Sequence, residues 1–455
     1  MRCAEFQRNA RRDIVMVWRP EVILNKTNLS VIIPALNEAA NLAHLLPQLR
    51  EVLAGLGICY EVLVVTRQPD QQTRDVVVQS GVKLVEQSTP GYGGALLTGF
   101  ATASGAYLIT MDADLSHRPD FILKLWPRRK EAEIIIASRY VPGGRASMPA
   151  VRYVLSRILN TFFRRGLDLP FQDMSSGFRL YKASAVRKNS FSGRDFAILQ
   201  EILVRGYAEG WKIQEVPFEY EPRKHGRSKA QFIRFGISYV RAFWSLWRLR
   251  NSIETADYDD RAYDSRIFLQ RYWQRLRFQH ISGLIAGQGV VLDVGCGSSR
   301  IISALPPGSV ALDIRVNKLR YARKFSTHRV QGSGFALPFA DASFRCVLCS
   351  QVIEHVPKDP RIIDELSRVL RTGGRLVLGT PDYSRWEWVI TEKLYGLLAP
   401  GGYAHEHISH YTRRELVTLL EHRGFVLEQT RWILHGELIL AFRKEGGRHA
   451  DSNHA

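Results

Sequence analysis

The sequence of 455 residues, 45% of them hydrophobic, is long enough for two or three globular domains with substantial cores. A formal net charge of +19 and an isoelectric point near 9.9 point to anionic partners, whether phosphorylated substrates, an acidic membrane surface or nucleic acid, without choosing among them. No apolar run approaches the roughly 18 residues needed to span a bilayer, and the five cysteines form no regular framework, which argues against a disulfide scaffold and fits a reducing cytosol.

Residues 1–28 carry Arg2, Arg8, Arg11 and Arg12 around a short apolar stretch at 14–18, too short for a secretion signal, and are expected to form a basic tail. Residues 29–34 then read as a strand broken by Pro34, and 37–50 as a helix with Leu42, Leu45, Leu46 and Leu49 on one face. Strands are expected at 61–65 and 82–86, each preceded by a helical stretch. This alternation predicts a parallel, doubly wound sheet whose loops converge at one edge on a nucleotide. Gly91, Gly93 and Gly94 precede a helical stretch at 95–104, where they either let backbone N–H groups approach phosphates or mark a simple turn.

The apolar run 107–111 ends abruptly in Asp112 and Asp114. Two carboxylates at the carboxyl end of a strand can share a hard divalent cation that also holds a diphosphate. Taken alone, the same triplet is an ordinary strand end and turn. A strand at 132–137 ends in Ser138-Arg139-Tyr140, and Asp173-Met174-Ser175-Ser176-Gly177-Phe178-Arg179, a helix containing Gln200 and Glu201, and a basic loop at 223–229 follow.

PALNEAANL, GYGGALLTGF, MDADLSHRPD, SRYVPGG, DMSSGFRLY and GRSK occur in the order and approximate spacing of inverting family 2 glycosyltransferases. Over residues 29–230 the chain resembles most closely the polyprenol (dolichol) phosphate mannosyl- and glucosyltransferases. The resemblance implies a GT-A fold with Pro34, Asn37 and Glu38 lining a nucleoside pocket, and Asp112 and Asp114 holding Mg or Mn against a nucleotide sugar such as GDP-mannose or UDP-glucose. It places Arg139, Arg152 and Lys229 at donor or acceptor phosphates, Glu201 near the sugar, and Asp173 at the head of a loop closing on the acceptor. Arg152 can equally be a solvated helix charge, and Glu201 can pair with Arg205 one turn on. The sequence departs from the family at Thr66-Arg67, where an acidic pair usually reads the nucleoside, and at Ser116, where the polyprenyl enzymes often carry Gln. A lipid monophosphate, with its second pKa at about 6, is already largely a dianion at neutral pH and needs no strong base. Metal and arginines then need only neutralise the departing diphosphate.

Residues 231–250 form an amphipathic helix with Gln231, Arg234, Ser238, Arg241, Ser245 and Arg248 on one face and Phe243, Trp244 and Trp247 elsewhere. It is expected either to lie in a membrane interface or to pack on the preceding domain. The acidic stretch 251–264 reads as a linker.

The second half opens with a strand at 290–294 running into Asp293-Val294-Gly295-Cys296-Gly297, and a strand at 309–312 ends in Asp313, 20 residues after Asp293. Ala336-Leu337-Pro338-Phe339, Glu354-His355-Val356 and Arg368-Val369-Leu370-Arg371-Thr372-Gly373-Gly374 follow in order. Over residues 265–443 this series resembles the class I S-adenosylmethionine-dependent methyltransferases. The resemblance implies a second Rossmann-like sheet, with Asp293, Gly295, Gly297, Asp313 and Leu337 around S-adenosyl-L-methionine. Ser333 replaces a usual adenine-contacting Asp, and Ser299 the third glycine. A hydroxyl acceptor needs a base, for which His355, His405, His407 and His410 are candidates. Their spacing also allows a metal cluster, although substrate contacts or a surface loop are expected first. Trp386, Trp388, Leu394, Leu397 and Leu398 form either a lid over an apolar substrate or ordinary core. Cys346 and Cys349 lie in one strand and are expected to be buried packing. Residues 444–455 are polar and expected to be disordered.

The sequence thus predicts an α/β protein of two Rossmann-like domains. The expected function is transfer of a hexose to a polyprenyl phosphate, with methylation of a related glycolipid, at the inner face of a membrane. The alternative is a methyltransferase whose degenerate front half only binds lipid. No RRM, KH or zinc-ribbon pattern accompanies the charge, so nucleic acid is not expected as a partner.

Overall fold

The computed structural model describes residues 27–221, 232–325, 328–398 and 407–446, of which 232–237 and 394–398 by backbone alone. The first half contains β1 (Leu29–Pro34), β2 (Tyr60–Thr66), β3 (Lys83–Glu86), β4 (Tyr107–Thr110), β5 (Ile134–Ser138), β6 (Arg145–Ala146), β7 (Arg179–Lys182), β8 (Ile213–Pro217) and β9 (Glu219–Tyr220). Seven of these make one sheet in the order β3-β2-β1-β4-β7-β5-β8, and β6 pairs with β9. Successive side chains of β1 serve opposite faces, as a strand covered on both sides requires. Leu29, Val31 and Ile33 pack with the helix Ala39–Ala54, whereas Ile32 packs with the helix Gly91–Thr102.

The expected all-parallel sheet is corrected here. β7 runs antiparallel to both β4 and β5, so the sheet is mixed. The stretch 173–178 is the approach to this returning strand. Thr110 of β4 pairs with Arg179, and the Thr110 hydroxyl donates to the Gly177 carbonyl at 2.6 Å. Residues 175–177 are thereby held beside the carboxyl end of β4.

The second half contains β10 (Val291–Val294), β11 (Val310–Asp313), β12 (His328–Gln331), β13 (Phe344–Ser350), β14 (Leu370–Pro381), β15 (Phe425–Ile433) and β16 (Glu437–Lys444), in the order β12-β11-β10-β13-β14-β16-β15. β10 to β14 are mutually parallel and β16 antiparallel. Cys346 and Cys349 are buried on opposite faces of β13, in separate core clusters, which confirms their packing role. Burial pushes the Cys346 thiol up to about 12, so it stays protonated and unreactive.

The stretch 251–264, expected as a polar linker, is a packed joint. The Arg250 guanidinium, 1% exposed, makes two bonds to the Asp257 carboxylate at 2.5 and 2.8 Å and donates to the Leu167 carbonyl. Asp260 accepts from Arg300, Lys324 and the Tyr321 hydroxyl of the second half. The Ala208 carbonyl of the first half receives the Ala256 N–H at 2.8 Å and the Asn317 amide at 3.3 Å. The acidic residues that suggested solvent exposure are neutralised by Arg250 close by and by Arg300, Lys318 and Lys324 far away in the sequence.

Candidate active sites

The carboxyl ends of β1, β2 and β4 open into a cavity of about 1030 Å³. Pro34, Glu38, Asp112, Asp114, Arg139 and Arg152 all line it, so the fold gathers six of the residues expected there. Asn37 lies in the same loop with a φ of 53° but is not part of the wall. Lys229 lies outside the described residues.

Asp114 is 5% exposed, and one of its carboxylate oxygens accepts from the N–H and hydroxyl of Ser116, which therefore orients the acid from the place where Gln was expected. The Asp112 side chain is 33% exposed. Its backbone N–H donates to Nδ1 of buried His117 at 2.9 Å, and that assignment leaves the ring hydrogen on Nε2, which lies 3.8 Å from the Asp112 carboxylate. His117 is stacked on Phe178 and edged by Phe218 and Tyr220, which lock the ring. The Tyr92 hydroxyl donates to Asp112 at 3.3 Å, and burial, then the charge of Asp112, push the phenol well above its ordinary value. Two carboxylates facing one cavity supply oxygen only, a donor set that suits Mg or Mn. His117 and Tyr92, which orient Asp112, carry no signature beyond their place in two motifs.

Gly177 explains why β7 must pass so close. A Cβ there would lie 2.6 Å from the Tyr92 hydroxyl and 3.2 Å from Asp112. Gly177→Ala is therefore expected to displace both groups and to lower sugar transfer about a hundredfold without unfolding the domain. Initial rates beside a thermal melt check this.

Arg139 and Asp173 act as a unit. Asp173 is fully buried and accepts from the Arg139 backbone N–H and from two guanidinium nitrogens at 2.7 Å. Burial would raise the Asp173 carboxyl, but the Arg139 charge and hydrogen bonds hold it below the usual range. Asp173 does not line the cavity, contrary to its expected place at the acceptor; it anchors the arginine that does. Glu215, on β8, fixes this loop through the N–H groups of Gln172 and Asp173, both at 2.8 Å. A lone acid inside a short, half-buried strand was the only sequence signal for it.

Glu201 is also corrected. Its carboxylate accepts from the N–H groups of Ser192 and Gly193, the Ser192 hydroxyl and the Arg205 guanidinium, and it is absent from the cavity wall. Its task is to hold the 192–194 loop. The glycines of the GYGG stretch meet that loop, because a Cβ on Gly91 would lie 2.1 Å from the Arg194 carbonyl and one on Gly93 2.1 Å from that of Gly193. These two glycines serve close backbone approach within the fold. Arg67, at the end of β2, lines the cavity in the place of the expected acid.

In the second half, Asp293, Gly295, Cys296 and Gly297 line a cavity below the carboxyl end of β10, together with Trp273, Trp388, His355 and His407. Gly295 and Gly297 have φ of 71° and 55°, and a Cβ on Gly295 would strike Val352 at 2.3 Å. The Gly297 N–H donates to Asp313 at 2.8 Å, so Asp313 fixes the loop. Asp259 of the joint accepts from the Ser298 N–H at 3.0 Å and from Lys318 at 3.0 Å, a role the linker reading missed. Leu337 is buried, gives its N–H to Glu365 and is not part of the cavity wall. Ser333 caps its own turn by accepting from the Phe335 N–H. The glycine loop and the acidic wall fit a cationic, methionine-bearing cofactor. The helix Trp386–Leu398 brings Trp388 against Trp273 over the cavity, while Trp386 is exposed; His405 lies outside the described residues.

Burial, then Asp313, push the Asp293 carboxyl up to about 7. A folded-state value above the unfolded one, about 3.9, means that the contribution is fully present below pH ~4 and lost as pH rises through about 7. Asp293→Asn is accordingly expected to lose less stability than the parent between about pH 5 and pH 8, by a few kcal/mol on the order of magnitude. Paired thermal melts of the cofactor-free proteins measure it.

Fold and sites together define an α/β chain with two sheets, an acid pair at the edge of one and a glycine loop at the edge of the other. Residues 30–189 match the family model of glycosyl transferase family 2, and residues 292–378 match a methyltransferase domain model. The chain carries a family 2 glycosyltransferase domain followed by a methyltransferase domain, both of them enzyme domains. It is 32% identical over 237 residues to a dolichol-phosphate mannosyltransferase from Pyrococcus furiosus, covering 50% of this chain and 65% of that protein. The chain thus spans just under two thirds of that relative's length. An uncharacterised glycosyltransferase from Mycobacterium bovis is 27% identical over 219 residues, 48% of this chain and 97% of that one. Among solved structures, glucosyl-3-phosphoglycerate synthase from Mycobacterium tuberculosis, in complex with Mn2+ and UDP, has a TM-score of 0.41 at 17% identity, covering 48% of this chain and 80% of that chain.

Proposed function

We propose that the first domain transfers a hexose from a nucleotide-diphosphate sugar, GDP-mannose or UDP-glucose, to a polyprenyl phosphate with Mg or Mn. The second domain, in this reading, methylates a related glycan or glycolipid with S-adenosylmethionine. The observation that carries the first part is the composition of the cavity along its length. Its wall includes Asp112, Asp114 and Arg139, and the helix Ala150–Gly166 adds Arg152 and then, in successive turns, Leu155, Ile158 and Phe162, with Val240 also in the wall. Those four side chains are 42%, 60%, 48% and 53% exposed, and Trp244 beside them 57%. A phosphate bearing a long apolar chain has this same order of charge and hydrocarbon. Val240 and Trp244 lie on the helix Phe232–Arg250, whose opposite side packs Tyr239, Phe243 and Leu246 on the domain. Both expected uses of that helix are therefore compatible, packing on one side and contact with a lipid surface on the other. No helix among the described residues is long and apolar enough to cross a membrane; in this reading the attachment is peripheral, at the membrane's inner face.

The chemistry asked of this chain is modest. Arg139, fixed by Asp173, and Arg152, over the Tyr220 ring at 5.9 Å, bring the acceptor dianion to the donor. A metal at Asp112 and Asp114 would supply charge neutralisation to the leaving diphosphate. In the second domain, S-adenosylmethionine would supply an electrophilic methyl group, and the chain's task is to hold an acceptor against it. The domain limits that accompany this reading are 29–230 for the first enzyme and 265–443 for the second.

A second reading, methyl transfer alone with a lipid-binding front half, is favoured by Arg67 in place of the nucleoside-reading acid. A panel of nucleotide sugars with polyprenyl phosphate and Mg or Mn, scored for labelled lipid, separates them. Transfer of any sugar supports the first reading, and none across the panel leaves the second.

A further inference from the structure

We propose that Glu354, His355 and His407 form a divalent metal site in the methyltransferase cavity, distinct from the aspartate pair of the first domain, and that the ion takes a hydroxyl of the methyl acceptor as a further ligand. The acceptor clause rests on the methyltransferase reading; the ion site does not.

One ligand atom from each of the three residues can be chosen so that all lie within 4.8 Å of one another. Bonds of about 2.0–2.2 Å put two ligand atoms of one ion no more than about 4.4 Å apart, so the three side chains need to close in by only a few tenths of an ångström to share one ion. Glu354 is fully buried, and its carboxylate oxygens make no hydrogen bond of good geometry, with the Thr380 hydroxyl beside them. A carboxylate in that position is costly unless a cation or a proton compensates it. The His355 and His407 rings lie 4.9 Å apart, and both histidines line the cavity that Asp293 and Gly295 enter.

The site is also built, because two segments far apart in sequence are stitched together at it. The Glu354 carbonyl accepts the N–H groups of Ile408 and Ser409 at 2.8 and 3.0 Å, and the Ser409 hydroxyl donates to the Val356 carbonyl at 2.6 Å. His407 Nδ1 lies 2.7 Å from Glu392 and 2.8 Å from the Tyr383 hydroxyl, which orients the ring and directs Nε2 away from them. Carboxylate support behind a ligating imidazole is how metal-bound histidines are commonly held. Two imidazoles and one carboxylate suit Zn, Fe, Co or Mn, and three protein ligands leave positions for substrate oxygen. An ion there lowers the pKa of a coordinated hydroxyl, which would serve a methyl transfer in which the oxygen–carbon bond forms. The carbon–sulfur bond breaks with its electron pair kept by sulfur, and the hydroxyl proton passes to solvent.

The full chain, stripped of metal and held in excess Mg2+ to occupy oxygen-only sites, would be titrated with Co2+ and followed by ligand-field absorption. One Co2+ per chain is expected, with binding weakened more than about tenfold in His355→Asn and in His407→Asn and unchanged in Asp112→Asn. Undiminished Co2+ binding in the double histidine variant, or none in the parent, overturns the site. Should Glu354→Gln fail to fold, the two cavity-wall histidines carry the test, with thermal melts as the control. Cofactor binding measured on the same samples keeps the two readings apart. S-adenosylmethionine bound without Co2+ removes the ion alone, whereas Co2+ bound without S-adenosylmethionine removes the methyltransferase reading and leaves the ion.

Discussion

Asp114→Asn is expected to lower sugar transfer by at least about a hundredfold, while cofactor binding by the second domain persists. The substitution keeps the side chain's shape and its acceptor oxygen for the Ser116 N–H and hydroxyl, so the loop after β4 retains its conformation. What it removes is one of two negative charges facing a cavity whose other charged residues include Arg67, Arg139 and Arg152. Without that charge a divalent ion would be held by a single carboxylate and would supply less counter-charge to a departing diphosphate. The measurement is labelled lipid formed against Mg2+ or Mn2+ concentration, with thermal melts alongside. A variant that transfers sugar at the parent rate would remove the metal role from Asp114.

Asp173→Ala is expected to cost about 3–5 kcal/mol of folding stability, because it leaves the Arg139 guanidinium buried with no carboxylate. The pair is inside the protein, with side-chain exposures of 10% for Arg139 and 0% for Asp173. The Ser175 hydroxyl, 2.8 Å from Arg139, remains as a weak substitute. Since the Asp173 carboxyl is held below its ordinary value, its contribution is present above the unfolded pKa, about 3.9, and is lost as pH falls through the lower folded value. The deficit of the variant should therefore be full at neutral pH and shrink under acid. Urea unfolding at several pH values measures it, and a deficit constant down to low pH would show that packing, not the ion pair, dominates. Asp173→Asn, which keeps an acceptor but no charge, separates the two contributions.

Much of this molecule was legible from local patterns. Apolar runs marked the parallel strands β1, β2, β4, β5, β10 and β11, because a strand buried on both faces is apolar along most of its length, whereas β12, with the sequence HRVQ, carries no such run. Asp112, Asp114, Asp293, Gly295 and Gly297 reached the cavities because a strand's last residues necessarily emerge at one sheet edge. The same reasoning misplaced Glu201 and Asp173, since position in a motif does not reveal which donors surround a side chain. Glu201 makes the expected pair with Arg205 one turn on, but it meets Ser192 and Gly193, and Asp173 meets Arg139, through chain folding.

The sequence by itself determined the two domain classes, their order and the acids and glycines at their strand ends, because these depend on residue type and spacing along one element. Only the tertiary structure decided that β7 returns antiparallel, that the acidic stretch 251–264 is a joint neutralised by Arg300, Lys318 and Lys324, and that His407 meets Glu354 from 53 positions away. Those outcomes depend on which distant groups satisfy a buried charge or a backbone carbonyl. No pattern within a single element carries that information.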